Sequence, residues 1–246
     1  MLYKKTVVVS GAAGGIGKSI FLEIIKQRGY AIGFDIIPFK KSELCSELKR
    51  KGIEKRNFEY HQIDITSQEN VRKVINKFKR IHGLINNAAI LGGDKNRTRE
   101  EWNKKFAVNA RAAFELIELI SPKLEENSSI VNIGSMELER PEANVIIYTS
   151  AKGALLGLTR AYSTDLARRN IRINLISPSR VFTPKNIERL RKENISSLPY
   201  KSKNLIYNGI VESQDVSDLV IFLLSDKSRK ITGQNIIIDC GFGLAR

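Results

Sequence analysis

Tyr148 and Lys152 stand four residues apart in the run Ile147-Tyr148-Thr149-Ser150-Ala151-Lys152, and Ser135 lies thirteen positions before the tyrosine. A phenol, an ammonium and a hydroxyl so arranged are the parts of a proton-transfer site. The stretch from Val145 through Ala154, Leu155, Leu156 and Leu158 reads as an amphipathic helix. Residues at i and i+4 share a helix face, which sets the ammonium of Lys152 beside the phenol of Tyr148. A free phenol titrates near ~10. A cation at ~4 Å, in an effective dielectric near ~20, is worth ~4 kcal/mol and moves that titration by about three pH units. The expectation is a tyrosine able to give and take a proton near neutrality. Alone, a Tyr and a Lys at this spacing also fit an ordinary helix surface, so the elements around them decide.

Before Ser135, the run Ser128-Ser129-Ile130-Val131-Asn132-Ile133-Gly134 reads as a buried strand that presents the hydroxyl at its carboxyl end. The chain opens with another strand, Thr6-Val7-Val8-Val9, then Ser10-Gly11-Ala12-Ala13-Gly14-Gly15-Ile16-Gly17, then an amphipathic run with Ile20, Phe21, Ile24 and Ile25. Strand, glycine-rich turn and helix together make a cradle for a dinucleotide. Gly11 permits the tight turn, Gly15 lets backbone N–H groups approach a pyrophosphate, Gly17 permits close helix–strand packing, and the helix N-terminus favours the anion. Eighteen residues beyond Gly17, the short apolar strand Ala31–Phe34 ends in Asp35. A carboxylate there accepts hydrogen bonds from the adenosine ribose of NAD and repels a 2′-phosphate. The reading is NAD, with NADP kept open by Lys40 and Lys41 nearby.

These residues together resemble the short-chain dehydrogenase/reductase family over essentially the whole chain. The Gly11-x-x-x-Gly15-x-Gly17 loop is similar to the family's cofactor motif, and Asp64-Ile65 falls where the family contacts the adenine ring. Asn86-Asn87-Ala88-Ala89 resembles the family's Asn-Asn-Ala-Gly turn. The run Asn174 to Thr183, with Pro178, Val181 and Thr183, resembles the loop that holds the nicotinamide carboxamide, and Ile231 to Asp239 resembles the last strand. The resemblance implies a catalytic tetrad of Asn109, Ser135, Tyr148 and Lys152. In it Asn109 positions a water that links Lys152 to solvent, and Lys152 also holds the nicotinamide ribose. The implied cofactor contacts are Ser10, Gly11, Gly14, Gly15, Ile16, Gly17, Asp35, Asp64, Ile65, Asn87, Ala88, Ala89, Tyr148, Lys152, Pro178, Val181 and Thr183. It also implies a homo-oligomer, tetramer or dimer, formed through the helices near 98–124 and 146–170.

Three positions depart from the family pattern. Ala89 replaces a glycine and adds a methyl beside the expected course of the cofactor. Ser179 stands where a glycine often follows the proline, and Cys240 replaces a common glycine after Asp239. None removes a reacting group.

The alternation of strand and helix runs unbroken from Thr6 to Asp239, which predicts one doubly wound α/β domain over 1–246. The expected sheet is parallel and seven-stranded, in the order 3-2-1-4-5-6-7, with helices on both faces. Helices are expected near 15–29, 40–53, 67–80, 98–124, 146–170 and 213–225. Cys45 and Cys240 form no metal or redox motif, His61 and His82 are isolated, and no metal site is expected. With no signal peptide and no apolar run of the roughly 18 residues a span needs, a cytoplasmic protein with no membrane partner is expected.

The formal net charge is +15, from 41 Lys and Arg against 26 Asp and Glu. The lysines are spread rather than gathered and no aromatic-interleaved platform accompanies them, so no specific nucleic-acid partner is expected. A basic field also steers an anionic cofactor or substrate.

The segment 184–210, long, polar and basic, reads as a lid over a small-molecule substrate. Substrate-facing candidates are Ser135, Met136, Glu137, Asn144, Tyr148 and Arg140, with the loop 90–97; Arg140 would suit a phosphate or carboxylate such as that of a nucleotide-linked sugar. The function expected is hydride transfer between nicotinamide and a secondary alcohol or ketone. The nearest rival is a 3-oxoacyl-(acyl-carrier-protein) reductase. A reading of another class is a dinucleotide-binding sensor or scaffold without turnover.

Overall fold

Several strand segments are continuous apolar runs, as required of strands covered on both faces. In the computed structural model, which describes residues 1–182 and 211–244, β6 (Arg172–Pro178) is buried at every position and β1 (Thr6–Ser10) at all but its first. The other strands of the main sheet are β2 (Tyr30–Asp35), β3 (Phe58–Gln62), β4 (Ile81–Asn86), β5 (Leu124–Ile133) and β9 (Asn235–Ile238). They form one seven-stranded parallel sheet in the order β3-β2-β1-β4-β5-β6-β9, the order read from the sequence with β9 as its last strand. β7 (Val181–Phe182) and β8 (Val211–Glu212) make a separate short parallel ribbon at the top of β6.

The helices are α1 (Gly15–Lys26), α2 (Glu43–Arg50), α3 (Gln68–Ile75), α4 (Arg99–Phe106), α5 (Ala112–Ile120), α6 (Ile146–Asp165) and α7 (Ser213–Leu224). Two apolar cores lie on opposite faces of the sheet. One is built on Val7, Val9, Phe21, Ile24, Val216 and Val220. The other is built on Val8, Ile32, Phe34, Leu84, Leu116 and Ile130. The alternation of Val7, Val8 and Val9 between the two cores is the period-2 geometry of a central strand.

One element differs from the sequence reading. The long helix expected near 98–124 is interrupted by a π-turn at Ala107–Arg111, which separates α4 from α5. Single π-turns inside helices are wide, insert a residue and recur at functional sites. Asn109 sits within this one. Its Oδ1 accepts from the Ile90 N–H at 2.7 Å and its Nδ2 donates to the Ile90 carbonyl at 3.1 Å. The side chain thus supplies backbone-like pairing to the loop after β4.

Candidate functional site

The carboxyl ends of β1, β4 and β5 converge, which is where an open α/β sheet places its ligand crevice. Ser10 closes β1. Its Oγ donates to the Ile85 carbonyl at 3.2 Å and accepts from the N–H groups of Asn87 (3.0 Å) and Ala88 (3.2 Å). Asn87 Nδ2 in turn donates to the carbonyls of Ser10 and Gly11 at 3.0 and 3.2 Å. One hydroxyl and one amide therefore pin the glycine-rich turn to the Asn-Asn turn.

Glycine is required here by contact. A Cβ on Gly17 would stand 2.0 Å from the Gly11 carbonyl oxygen, and one on Gly11 would stand 2.9 Å from the Ala88 backbone, at a φ of +70°. The first turn of α1 carries no side-chain cap. Its N–H groups are available to an anion, and the helix dipole favours one there.

Asp35 Oδ2 accepts from the Ala13 N–H at 2.9 Å and Oδ1 from the Ile37 N–H at 3.0 Å. Each carboxylate oxygen keeps a second lone pair. Two backbone donors fix the acid over the glycine-rich turn. A second acid is close by: Glu43, paired with Lys18 at 2.9 Å, lies 3.6 Å from where a Cβ on Gly14 would stand. Asp64, exposed after β3, accepts from the N–H and hydroxyl of Thr66, and Ile65 behind it is buried.

Ser135, Tyr148 and Lys152 are brought together at the end of β5. The Ser135 hydroxyl acts on the Tyr148 phenol to lower its titration and accepts from the Glu137 N–H at 3.2 Å. Lys152 is 2 % exposed; its Nζ donates to the Ile133 carbonyl at 2.6 Å and lies 5.7 Å from the centre of the Tyr148 ring. Burial alone lowers the Lys152 ammonium to about 8.

The expected depression of Tyr148 is not what the structure gives. Burial pushes the phenol above its ordinary value, the Ser135 hydroxyl only partly offsets that, and the negative charge of Glu137 adds to the rise. The helix spacing brought the lysine close, but desolvation and a carboxylate outweigh it. Glu137 is itself raised, first by burial, against the Glu142 N–H that its Oε2 accepts at 2.6 Å. The sequence marks it as a substrate-facing candidate between Ser135 and Tyr148; its effect on the phenol comes from the packing.

Arg140 meets the chain end. It is exposed, its Nη1 donates to the Phe242 carbonyl at 3.0 Å, and its guanidinium lies 4.8 Å from the Phe242 ring centre. Met136 is buried, its Cε 2.2 Å from where a Cβ on Gly243 would stand, so it packs beneath that same chain end.

Pro178 is buried at the end of β6, and Ser179 donates its N–H to Ile238. Val181 lies in β7, facing Val211 in the ribbon register. Ala88 and Ala89 are half-buried in the turn after β4. Of the departures from glycine, only Cys240 adopts a left-handed backbone, with φ of +54°. Thr183 and the expected lid 184–210 lie outside the described residues.

A buried pair made by Asp94, in the loop 90–97 expected to face the substrate, holds the start of α6. Asp94 Oδ1 pairs with Lys105 Nζ at 2.8 Å, and Asp94 Oδ2 accepts the Ile147 N–H at 3.0 Å. Nothing in the local pattern marks the pairing, because the partners of Asp94 come from α4 and α6.

The family model described as enoyl-(acyl carrier protein) reductase matches residues 11–243. The chain belongs to the short-chain dehydrogenase/reductase family. A 3-oxoacyl-(acyl-carrier-protein) reductase of Thermotoga maritima is 29% identical, over 96% of this chain and 97% of that one. An L-xylulose reductase of Caenorhabditis elegans is 32% identical, over 97% and 95%. Among solved structures, a short chain dehydrogenase family protein from Francisella tularensis superposes with a TM-score of 0.82 at 28% identity, covering 98% of this chain and 100% of that one. A metagenomic blue fluorescent protein in complex with NADPH gives 0.82 at 26%, covering 98% of each.

As a member of this family the protein is an oxidoreductase acting on alcohol and keto groups and binds a nicotinamide dinucleotide. The residues fit such a group: a glycine cradle that a Cβ would fill, an uncapped helix N-terminus and a ribose-height carboxylate are all in place. Among the described residues no helix is long and apolar enough to cross a membrane, and no group of three or more His, Cys, Asp or Glu is placed to hold a metal.

Proposed function

We propose that this chain reduces a ketone, or oxidises the matching secondary alcohol, on an uncharged hydroxylated substrate such as a sugar, with NAD as the preferred cofactor. The observation that carries the reading is the buried Lys152 ammonium 5.7 Å from the centre of the Tyr148 ring, held there by the Ile133 carbonyl at the end of β5.

When bound, the nicotinamide supplies or takes the hydride; the protein contributes placement and charge. Tyr148 gives a proton to the substrate oxygen in reduction and takes it back in oxidation. Ser135 donates to the same oxygen and stabilises charge developing there. Lys152 holds the ribose and replenishes the proton on Tyr148. Asn109 supports the loop beside the ring.

Two observations favour an uncharged substrate over an anionic one. The Glu137 carboxylate acts on Tyr148 and would repel an anion beside it, and the Arg140 guanidinium donates to the Phe242 carbonyl. Asp35 beside the turn supports NAD over NADP, since a 2′-phosphate would meet its negative charge, whereas that of Glu43 is offset by Lys18. The family resemblance supports a homo-oligomer, tetramer or dimer, acting in the cytoplasm.

A second reading, a 3-oxoacyl-(acyl-carrier-protein) reductase, is favoured by the Thermotoga relative and by the net charge of +15, which would attract an acidic carrier. The test follows nicotinamide absorbance over a panel of free pentuloses, secondary alcohols and an acetoacetyl thioester of a carrier protein. Turnover of the free polyols supports the first reading, and turnover confined to the thioester supports the second. A Tyr148→Phe protein that kept more than about a tenth of the rate would remove the catalytic assignment. Cofactor binding with no turnover of anything would leave a sensor or scaffold.

A further inference from the structure

Thr159, inside α6, donates its hydroxyl to the Leu155 carbonyl at 2.8 Å, so its oxygen is free to accept from Asn132 Nδ2 at 2.9 Å. Asn132 Oδ1 is then the end that accepts from Asn86 Nδ2 at 2.8 Å. With these bonds the Asn86 amide donates through Nδ2 to Asn132. That leaves Asn86 Oδ1 buried and, among the described residues, with no donor. An unpaired buried acceptor costs about 1–3 kcal/mol.

Asn86 lines a small cavity of about 10 Å³, together with Ser10, Asn109 and Lys152. That volume suits about one water. Lys152 carries three N–H donors, and one is used on Ile133. Asn109 is paired at both ends of its amide with Ile90. The cavity therefore joins an acceptor lacking a donor to an ammonium with donors to spare.

We propose that Asn86 holds a single water in this cavity, which donates to Asn86 Oδ1 and accepts from Lys152 Nζ, making Asn86 a positioning residue for the proton site. The inference deepens the proposed function and rests on its reading of Tyr148 and Lys152. Its physical content is hydration. A hydrogen bond to the charged form favours that form, so the water keeps a buried lysine cationic. The titratable groups on the lysine's own helix and the adjoining turn are Tyr148 and Glu137. β1, β4 and the π-turn present only Ser10, Asn86 and Asn109 to the cavity.

The test joins crystal structures to the pH profile of turnover, in the NAD-saturated protein, on the best substrate of the panel above. The native protein should show one ordered water within about 3 Å of both Asn86 Oδ1 and Lys152 Nζ. Asn86→Leu should lose it, turn over about tenfold more slowly, and bring the alkaline limb down by about one pH unit. Asn86→Asp, which places a carboxylate before the same ammonium, should raise that limb by about one unit. A native cavity without ordered water overturns the inference. So does a folded Asn86→Leu or Asn86→Asp protein whose limb stays put, and the second variant carries the test if the first fails to fold. The two levels separate cleanly: an active Tyr148→Phe protein sinks the site reading, whereas an inactive one beside a dry cavity sinks this inference alone.

Discussion

Lys152 Nζ stands over the face of the Tyr148 ring, 5.7 Å from its centre, and is anchored by the Ile133 carbonyl at 2.6 Å. Their i, i+4 spacing on α6 put them on one face, yet the ammonium is held by the neighbouring strand. Both groups are displaced by burial, the phenol upward and the ammonium down to about 8. The site is thus built at a cost in stability, as functional sites commonly are.

Replacing Lys152 by Met should abolish turnover and stabilise the fold. The sign follows from linkage: a lysine whose folded pKa lies below its unfolded value binds fewer protons folded than unfolded between those values. Stability therefore rises with pH from about 8 toward the unfolded value near ~10.4, and below that window the charged lysine is a burden. Lys152→Met should gain about 1–3 kcal/mol at pH 7, after loss of the Ile133 bond, with the gain shrinking toward pH 10. Urea unfolding at several pH values measures it. A variant less stable at pH 7 would contradict the argument.

Asp94→Ala should destabilise by about 2 kcal/mol, because it leaves the buried Lys105 ammonium to Glu101 and the Gly92 and Gly93 carbonyls and removes an acceptor for the first turn of α6. Burial pushes the Asp94 carboxyl up, but the Lys105 ammonium and the Ile147 N–H outweigh it and hold it below the ordinary range. Its contribution is present above the unfolded carboxylate value near ~3.9 and is lost as pH falls through the folded one. Since Tyr148 follows Ile147 directly, turnover should fall as well. Thermal unfolding and initial rates at one temperature check both parts.

Asp35→Ser should weaken NAD binding about tenfold and narrow the preference over NADP, since the charge that repels a 2′-phosphate is gone while a hydroxyl remains. Fluorescence titration with the two reduced cofactors reads the ratio. An unchanged ratio would contradict the specificity argument.

Cys240→Gly should stabilise by about 1 kcal/mol, raising Tm by about 2–4 °C, because a non-glycine residue there holds φ at +54°. A melting temperature that does not rise would mean that packing of the thiol offsets the backbone strain.

Much of this protein was determined by its sequence read alone. Apolar runs covered on both faces pointed to a parallel sheet, the family resemblance implied its order, and the chemistry-bearing residues lay at recognisable spacings around a glycine turn. These signals are local: a period of two, a spacing of four, a glycine where a Cβ has no room. Tertiary structure decided what lay beyond them. It broke the fourth long helix at Asn109, sent Arg140 to Phe242, and set Asp94 against Lys105 and Ile147. It also reversed the expected shift of Tyr148, by surrounding the phenol with packed neighbours and the Glu137 carboxylate. Spacing along a helix says which groups meet, but desolvation depends on every element packed around them, and those elements arrive from distant parts of the chain.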